Sequence, residues 1–354
     1  MAKSGNFEQN ICSTVRPEDS EKKRGTWKRM DAQKKVLVVG GTGYLGQHLL
    51  QGFTQIVHSL PCPLSLAFTY HSDPPPSPLL DAFPEALHFP VDLRHGVGFD
   101  SISGTLGQPD VVINCAALSV PRACEADPEA AMAINVPYHL VKWLSSFDKN
   151  STFMIHLSTD QVYEGTKSFY KEEDEIIPVN VYGKTKVAAE QFVSSNCPNF
   201  AILRSSIIFG PQPISPLAKS LPIQWMDSVL AKGDQTEFFH DEFRCPVYVR
   251  DLVTAIQILT NRWISESKPI QLLVNAGGPD RLSRAQMAEA VAAMRGYNVL
   301  IRSVSSSSVD RGVKSPSDIS LDITKFIQTL GFSPTRFNDG VKLTLEAEDS
   351  LRHQ

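Results

Sequence analysis

Apolar positions along this chain fall into short β-branched runs that alternate with stretches of helical spacing. Lys35 to Val39 is a basic-then-apolar run that closes on glycines, the pattern of a buried parallel strand. From Tyr44 to Phe53, Leu45, Leu49, Leu50 and Phe53 recur at helical intervals and predict an amphipathic helix. Leu64 to Tyr70 and Leu87 to Val91 predict a second and a third strand. Between them lies the proline run 73–78, whose missing N–H groups exclude sheet and helix and predict a surface excursion. Val111 to Ala117 predicts a fourth strand, ending in small residues that suit close approach of a ligand. One helix is expected from about Pro128 to Ser146, on the apolar positions Ala130, Ile134, Leu140, Val141 and Leu144. Phe153 to Leu157, closed by Ser158-Thr159-Asp160, and Phe200 to Leu203 predict strands five and six.

This cadence predicts an α/β chain built on a Rossmann-type doubly wound parallel sheet. Such sheets bind ligands at the carboxyl ends of their strands. Past about Gly210 the regularity breaks. Arg250 to Leu259 and Ser283 to Met294 predict amphipathic helices of a smaller C-terminal lobe, interleaved with late sheet strands. The expected division is a disordered leader over 1–33, a dinucleotide-binding domain over 34–210, a substrate-binding lobe over 211–340 and a tail over 341–354.

Composition narrows the partners. The 34 basic and 38 acidic residues leave a formal charge of −4, which gives no electrostatic reason to expect nucleic acid. No apolar run approaches the roughly 20 residues that a membrane span needs. The six cysteines are scattered without a CxxC pair, so they read as reduced thiols of a cytoplasmic protein, neither a disulfide frame nor a metal site. Near the N-terminus Glu8, Glu18, Asp19 and Glu21 mix with Lys22, Lys23 and Arg24, unlike a signal or transit peptide.

The chemistry begins at Gly40-Gly41-Thr42-Gly43-Tyr44-Leu45-Gly46. After a strand, Gly40 permits a tight turn, Gly43 lets the main chain approach a pyrophosphate, and Gly46 lets the helix pack on the strand. The helix N-terminus then offers free N–H groups to phosphate. NAD readers usually carry an acid at the tip of the second strand. This tip reads Phe68-Thr69-Tyr70-His71-Ser72, which favours NADP(H) and puts His71 in the cofactor set; Asp73, just beyond, keeps NAD(H) open.

Further on, Tyr182 and Lys186 stand at i and i+4, on one face of a helix. A free phenol has a pKa of about 10, and a nearby ammonium is expected to pull it down by 1–3 units. A phenol so tuned donates a proton to a carbonyl oxygen while a nicotinamide supplies hydride. Thr159, at the end of strand five, is placed to offer its hydroxyl to the same oxygen. Cys115 reads as a small buried hydrophobe and His156 as a core residue, while Arg204 or Arg244 is a candidate to hold a substrate phosphate.

At these residues the chain resembles the extended short-chain dehydrogenase/reductase family, and more closely its dTDP-4-dehydrorhamnose reductase-like branch. The glycine turn, Asn114-Cys115-Ala116-Ala117, Ser158-Thr159-Asp160, Tyr182-Gly183-Lys184-Thr185-Lys186, Leu203-Arg204-Ser205, Pro246 with Asp251-Leu252, and Ser320-Leu321-Asp322 carry the resemblance. It implies that Thr42, Gly43, Tyr44 and Leu45 contact the pyrophosphate, with Asp92 and Leu93 at the adenine and Cys115, Ala116 and Ala117 along the nicotinamide half. It also implies Tyr182 as proton donor, Lys186 on the nicotinamide ribose, and Thr159 and Asp160 facing a nucleotide-linked sugar. Three departures fall on substrate-facing positions: Pro121-Arg122 for Val-Asp, Gln161 for an aromatic, and Asp241-Glu242 for Asp-Gln. The same branch contains the non-catalytic regulatory β subunit of methionine adenosyltransferase, which implies a hetero-oligomeric binding partner as an alternative to a reductase, homodimeric or otherwise. A reductase or epimerase of another small carbonyl metabolite is the third alternative.

Overall fold

The computed structural model describes residues 33–56, 62–217, 220–233, 235–266 and 268–352, so the expected leader lies outside the described residues apart from Gln33. Seven parallel strands form the central sheet and are numbered here in chain order: β1 Lys34–Val39, β2 Leu64–Tyr70, β3 Leu87–Pro90, β4 Val111–Asn114, β5 Phe153–Thr159, β6 Phe200–Ser205 and β7 Gln271–Ala276. Their order is β7-β6-β5-β4-β1-β2-β3. The chain therefore reverses its winding between β1 and β4, and a crevice opens there at the strands' carboxyl ends. Register is tight across this seam, with Val38 opposite Ile113 and Asn114 opposite His156.

The middle strands read as continuous apolar runs because both faces are covered. One face packs helix α1 (Tyr44–Ile56) through Leu45, Leu49, Leu50 and Phe53, together with the long helix Val249–Glu266. Each such side chain removed from water contributes about 1.5–3 kcal/mol. The other face holds Leu37, Val39, Val112, Met154 and Ile202 against Ile102, Leu140, Val141 and Val193. Helix α2 (Val181–Asn196) lies on this side.

The lobe has its own core, in which Ile223, Met226, Leu230, Met287, Ala288 and Val291 meet Phe337, Val341 and Leu345. Its helix Arg284–Arg295 opens with a capping box of Ser283 and Gln286 and stops at the left-handed Gly296. The lobe is interleaved with the sheet, since β7 pairs with β6 over Gln271 to Ala276.

Two expectations are corrected. The helix expected from Pro128 to Ser146 is two helices, Pro128–Asn135 and Tyr138–Leu144. Pro137 drives the residue before it out of the helical region, and Val136 is extended at φ −81°, ψ 115°. Nor is 341–354 a tail: residues through Arg352 belong to helix Phe337–Arg352, whose Val341 and Leu345 are buried in the lobe.

Candidate active site

The glycine turn is built by close approach. Gly40 has φ +82°, and a Cβ there would sit 3.0 Å from the Ala116 backbone. At Gly46 a Cβ would lie 2.3 Å from the Gly40 carbonyl oxygen, so only glycine lets α1 start this close to β1. The first-turn N–H groups of α1, which have no partner within a helix, open at the strand end. Beside them runs a groove of about 520 Å³. Gly40, Thr42, Gly43, His71, Asp92, Leu93, Cys115, Ala116 and Ala117 all line it, as does Arg94, which the sequence reading passed over. Asp92 is anchored by the His95 ring at 2.7 Å, which holds its carboxyl below the usual range.

Tyr44 and Leu45 turn their side chains elsewhere. The Tyr44 hydroxyl donates to the Pro211 carbonyl at 3.2 Å, and Leu45 is buried in the sheet core. Any contact of these two with a phosphate is therefore through the main chain.

Helix α2 is set by its cap. Asn180 accepts from the Gly183 N–H at 2.8 Å, while its amide donates to Gln161 at 2.9 Å and to the Lys314 carbonyl at 3.0 Å. A Cβ on Gly183 would stand 2.3 Å from the Gln161 carbonyl oxygen, so glycine lets α2 press on the end of β5. That contact sets Tyr182 beside Thr159, whose hydroxyl works to lower the phenol's pKa. Thr159 also donates to Asp160 at 3.2 Å, and Ser206 donates to the other Asp160 oxygen at 2.7 Å. Burial lifts the Asp160 carboxyl, with Arg244 opposing.

The expected pull of Lys186 on the phenol is not found. Burial raises the Tyr182 phenol well above its ordinary range, and the Thr159 hydroxyl offsets only part of this. Lys186 instead has its Nζ 3.5 Å from His156 Nε2. Burial lowers its ammonium to about 8, against the opposing charges of Glu190 and Cys115. His156 is therefore more than a core residue, since it touches Lys186 directly.

Next to this centre lies a second cavity, of about 540 Å³. Its lining includes Arg122, Arg244, Arg284, Arg311 and Lys314 against Glu242 and Asp310. Arg244 is buried and donates to the carbonyls of Phe243 and Pro316 at 2.7 and 2.9 Å. Burial, reinforced by Arg244, lowers Arg284 to about 10. Glu242 is ion-paired with Arg311. The three family departures, Arg122, Gln161 and Glu242, all line this one cavity. Arg204 does not reach it: its guanidinium forks onto Glu190, with contacts of 2.7 to 3.2 Å, and donates to Tyr163 at 2.8 Å.

Fold and site together define a dinucleotide-fold protein of the extended short-chain dehydrogenase/reductase class, with a strand-end threonine, a Tyr-x-x-x-Lys helix and a second lobe facing them. Within that class the chain belongs to the family described as RmlD substrate binding domain, which it matches over residues 34–350. Methionine adenosyltransferase 2 subunit beta of Pongo abelii is 30% identical over 317 residues, 88% of this chain and 87% of the relative. A probable low-salt glycan biosynthesis reductase of Haloferax volcanii is 28% identical over 310 residues, 86% of this chain and 95% of the relative. Among solved structures, the dTDP-4-dehydrorhamnose reductase of Bacillus anthracis in complex with NADP shares the fold at a TM-score of 0.68 and 18% identity, over 89% of this chain and 99% of that one. Among the described residues, no helix is long and apolar enough to cross a membrane, and no cluster of three or more His, Cys, Asp or Glu is placed to hold a metal ion.

Proposed function

We propose that the chain is an NADP(H)-dependent carbonyl reductase whose substrate is a nucleotide-linked 4-keto sugar. The observation that carries this reading is the juxtaposition of the buried Thr159 and Tyr182, whose chain neighbours Gln161 and Asn180 line the arginine-rich cavity. The groove suits a dinucleotide: its glycines let the turn pack tightly against Phe68 and Ala116 and let α1 start close to β1, which sets the first-turn N–H groups of α1 at the groove. His71 and Arg94 in the same groove suit a ribose 2′-phosphate. The arginines of the second cavity supply the charge that a nucleotide diphosphate needs.

A bound reduced nicotinamide supplies the hydride. Tyr182 then donates its proton to the carbonyl oxygen, and Thr159 hydrogen-bonds the same oxygen. A phenol that burial keeps protonated is suited to this acid role. Lys186, a turn away on α2, is positioned to hold the nicotinamide ribose.

A second reading, a non-catalytic regulatory subunit, is favoured by one observation: the 30% identity over 88% of the chain to a methionine adenosyltransferase subunit. Mixing the protein with NADPH and a panel of nucleotide-4-keto sugars separates the two. Oxidation of NADPH supports the reductase. Tight NADPH binding without oxidation, together with co-purification of an adenosyltransferase, supports the subunit.

A further inference from the structure

A buried chain of polar groups runs from the backbone of the nicotinamide-side loop to Lys186. The Ala116 N–H donates to Asn114 Oδ1 at 3.3 Å, which fixes which end of the Asn114 amide is which. Asn114 Nδ2 then faces His156 Nδ1 at 3.2 Å. On the other side of the ring, His156 Nε2 faces Lys186 Nζ at 3.5 Å. Asn114, His156 and Lys186 are all buried, with exposures of 2%, 0% and 2%.

A neutral imidazole carries one N–H and one bare nitrogen. Asn114 Nδ2 is only a donor, so Nδ1 must be the bare nitrogen and the proton must sit on Nε2. That proton points at Lys186. An ammonium has three donors and no acceptor, whereas a neutral amine has a lone pair to receive the bond. A charged imidazole would instead set a proton on Nδ1 against the Asn114 amide hydrogens. The pattern is satisfied at every atom only if His156 is neutral and Lys186 is the amine.

We infer that His156 is a positioning residue whose Nε2–H, fixed through Asn114 and the Ala116 N–H, points at Lys186 Nζ and shifts its equilibrium towards the neutral amine. The groups that face Lys186 agree with this. From β5 comes the ring of His156, which burial keeps uncharged. From the segment after β4 comes Cys115, whose thiol burial pushes up to about 12 and so keeps neutral. On α2 itself, Glu190 acts on Lys186 but already accepts from Arg204 and from Ser158. Burial, opposed by Glu190 and Cys115, lowers the ammonium to about 8, and a donor at Nε2 works in the same direction as burial.

The part of this inference that concerns catalysis rests on the reductase reading, whereas the tautomer does not. The test is nitrogen NMR of the full chain labelled with 15N-histidine, the His156 signals being identified by their loss in H156Q or by through-bond assignment of the wild type. The expected result is a bare Nδ1 and a protonated Nε2. An N114D variant, which offers Nδ1 an acceptor, is expected to reverse the tautomer. It should also move the Lys186 limb of the kcat/KM profile to higher pH by about one unit. A protonated Nδ1 in the wild type, or an imidazolium at neutral pH, overturns the inference. Absence of turnover with the expected tautomer present would instead count against the reductase reading alone.

Discussion

The glycine-turn groove and the arginine-lined cavity are built in opposite ways. The glycine-turn groove comes from short segments at the ends of neighbouring strands: Gly40, Gly43, Ala116 and Ala117 keep part of its wall close to the main chain, and His71, Asp92, Arg94 and His95 line it with polar side chains. The arginine-lined cavity is assembled from side chains at 122, 161, 180, 242–244, 284 and 310–315, brought together by the lobe. On the proposed function, the groove recognises backbone-scale features that every dinucleotide shares. The second cavity recognises charge and shape through long side chains, so it varies with few consequences for folding. The three family departures fall in it, whereas the glycine turn is intact. On the proposed function, cofactor and substrate are thus encoded in separable parts of the molecule.

That separation can be broken at graded depths. The largest effect is expected from Y182F, which removes the acid and leaves both cavities: turnover should fall by about 10²–10⁴-fold, with NADPH affinity unchanged within a few-fold by titration calorimetry. A parallel loss of NADPH binding would show that the centre is not separable from the groove.

Next is the stability cost of burying Lys186. Its folded-state pKa, about 8, lies below the ordinary 10.5, so between these values the unfolded chain binds more protons and stability rises with pH. Urea unfolding of K186M and wild type should therefore show a gap in favour of K186M that widens as pH falls from 10.5 towards 8. A difference of this size corresponds to about 3 kcal/mol across the window. A gap that does not vary with pH would contradict the burial account.

G46A tests the groove itself. Its methyl would meet the Gly40 carbonyl oxygen and Gly41 Cα at 2.3 and 2.7 Å, both backbone atoms that cannot swing aside. A loss of about 1–3 kcal/mol is expected, with weaker NADPH binding and an unaltered preference among sugars. The smallest effect is expected at the exposed Arg122. R122E should raise the KM for a nucleotide sugar by about tenfold at low salt, the effect shrinking as salt screens the charge, and leave NADPH affinity alone.

The same contrast explains what could be read from the chain beforehand. Strand β1, the glycine turn and α1 are contiguous, and each glycine answers a contact within the turn or with the neighbouring strand. Tyr182 and Lys186 were legible because helical spacing puts them on one face. The role of His156 was not, since its partners Asn114 and Lys186 are fixed by strand register and by the seating of α2. Nor could local pattern collect Arg284 with Arg311 and Lys314 into a pocket, because they lie in two separate segments of the lobe. The break at Pro137 was hidden by apolar positions that keep their spacing across it, from Ile134 to Val141. The last helix was hidden by its polar exposed face, although Phe337, Val341 and Leu345 repeat at i, i+4 and i+8.

The most direct measurement is isotope transfer. The full chain is incubated with NADPH deuterated at the nicotinamide C4 and a nucleotide-linked 4-keto sugar, and the sugar product is weighed by mass spectrometry. The reductase account predicts one deuterium on the new carbinol carbon with wild type and none with Y182F. Bound, unoxidised cofactor and an unlabelled sugar across the panel of substrates would contradict it.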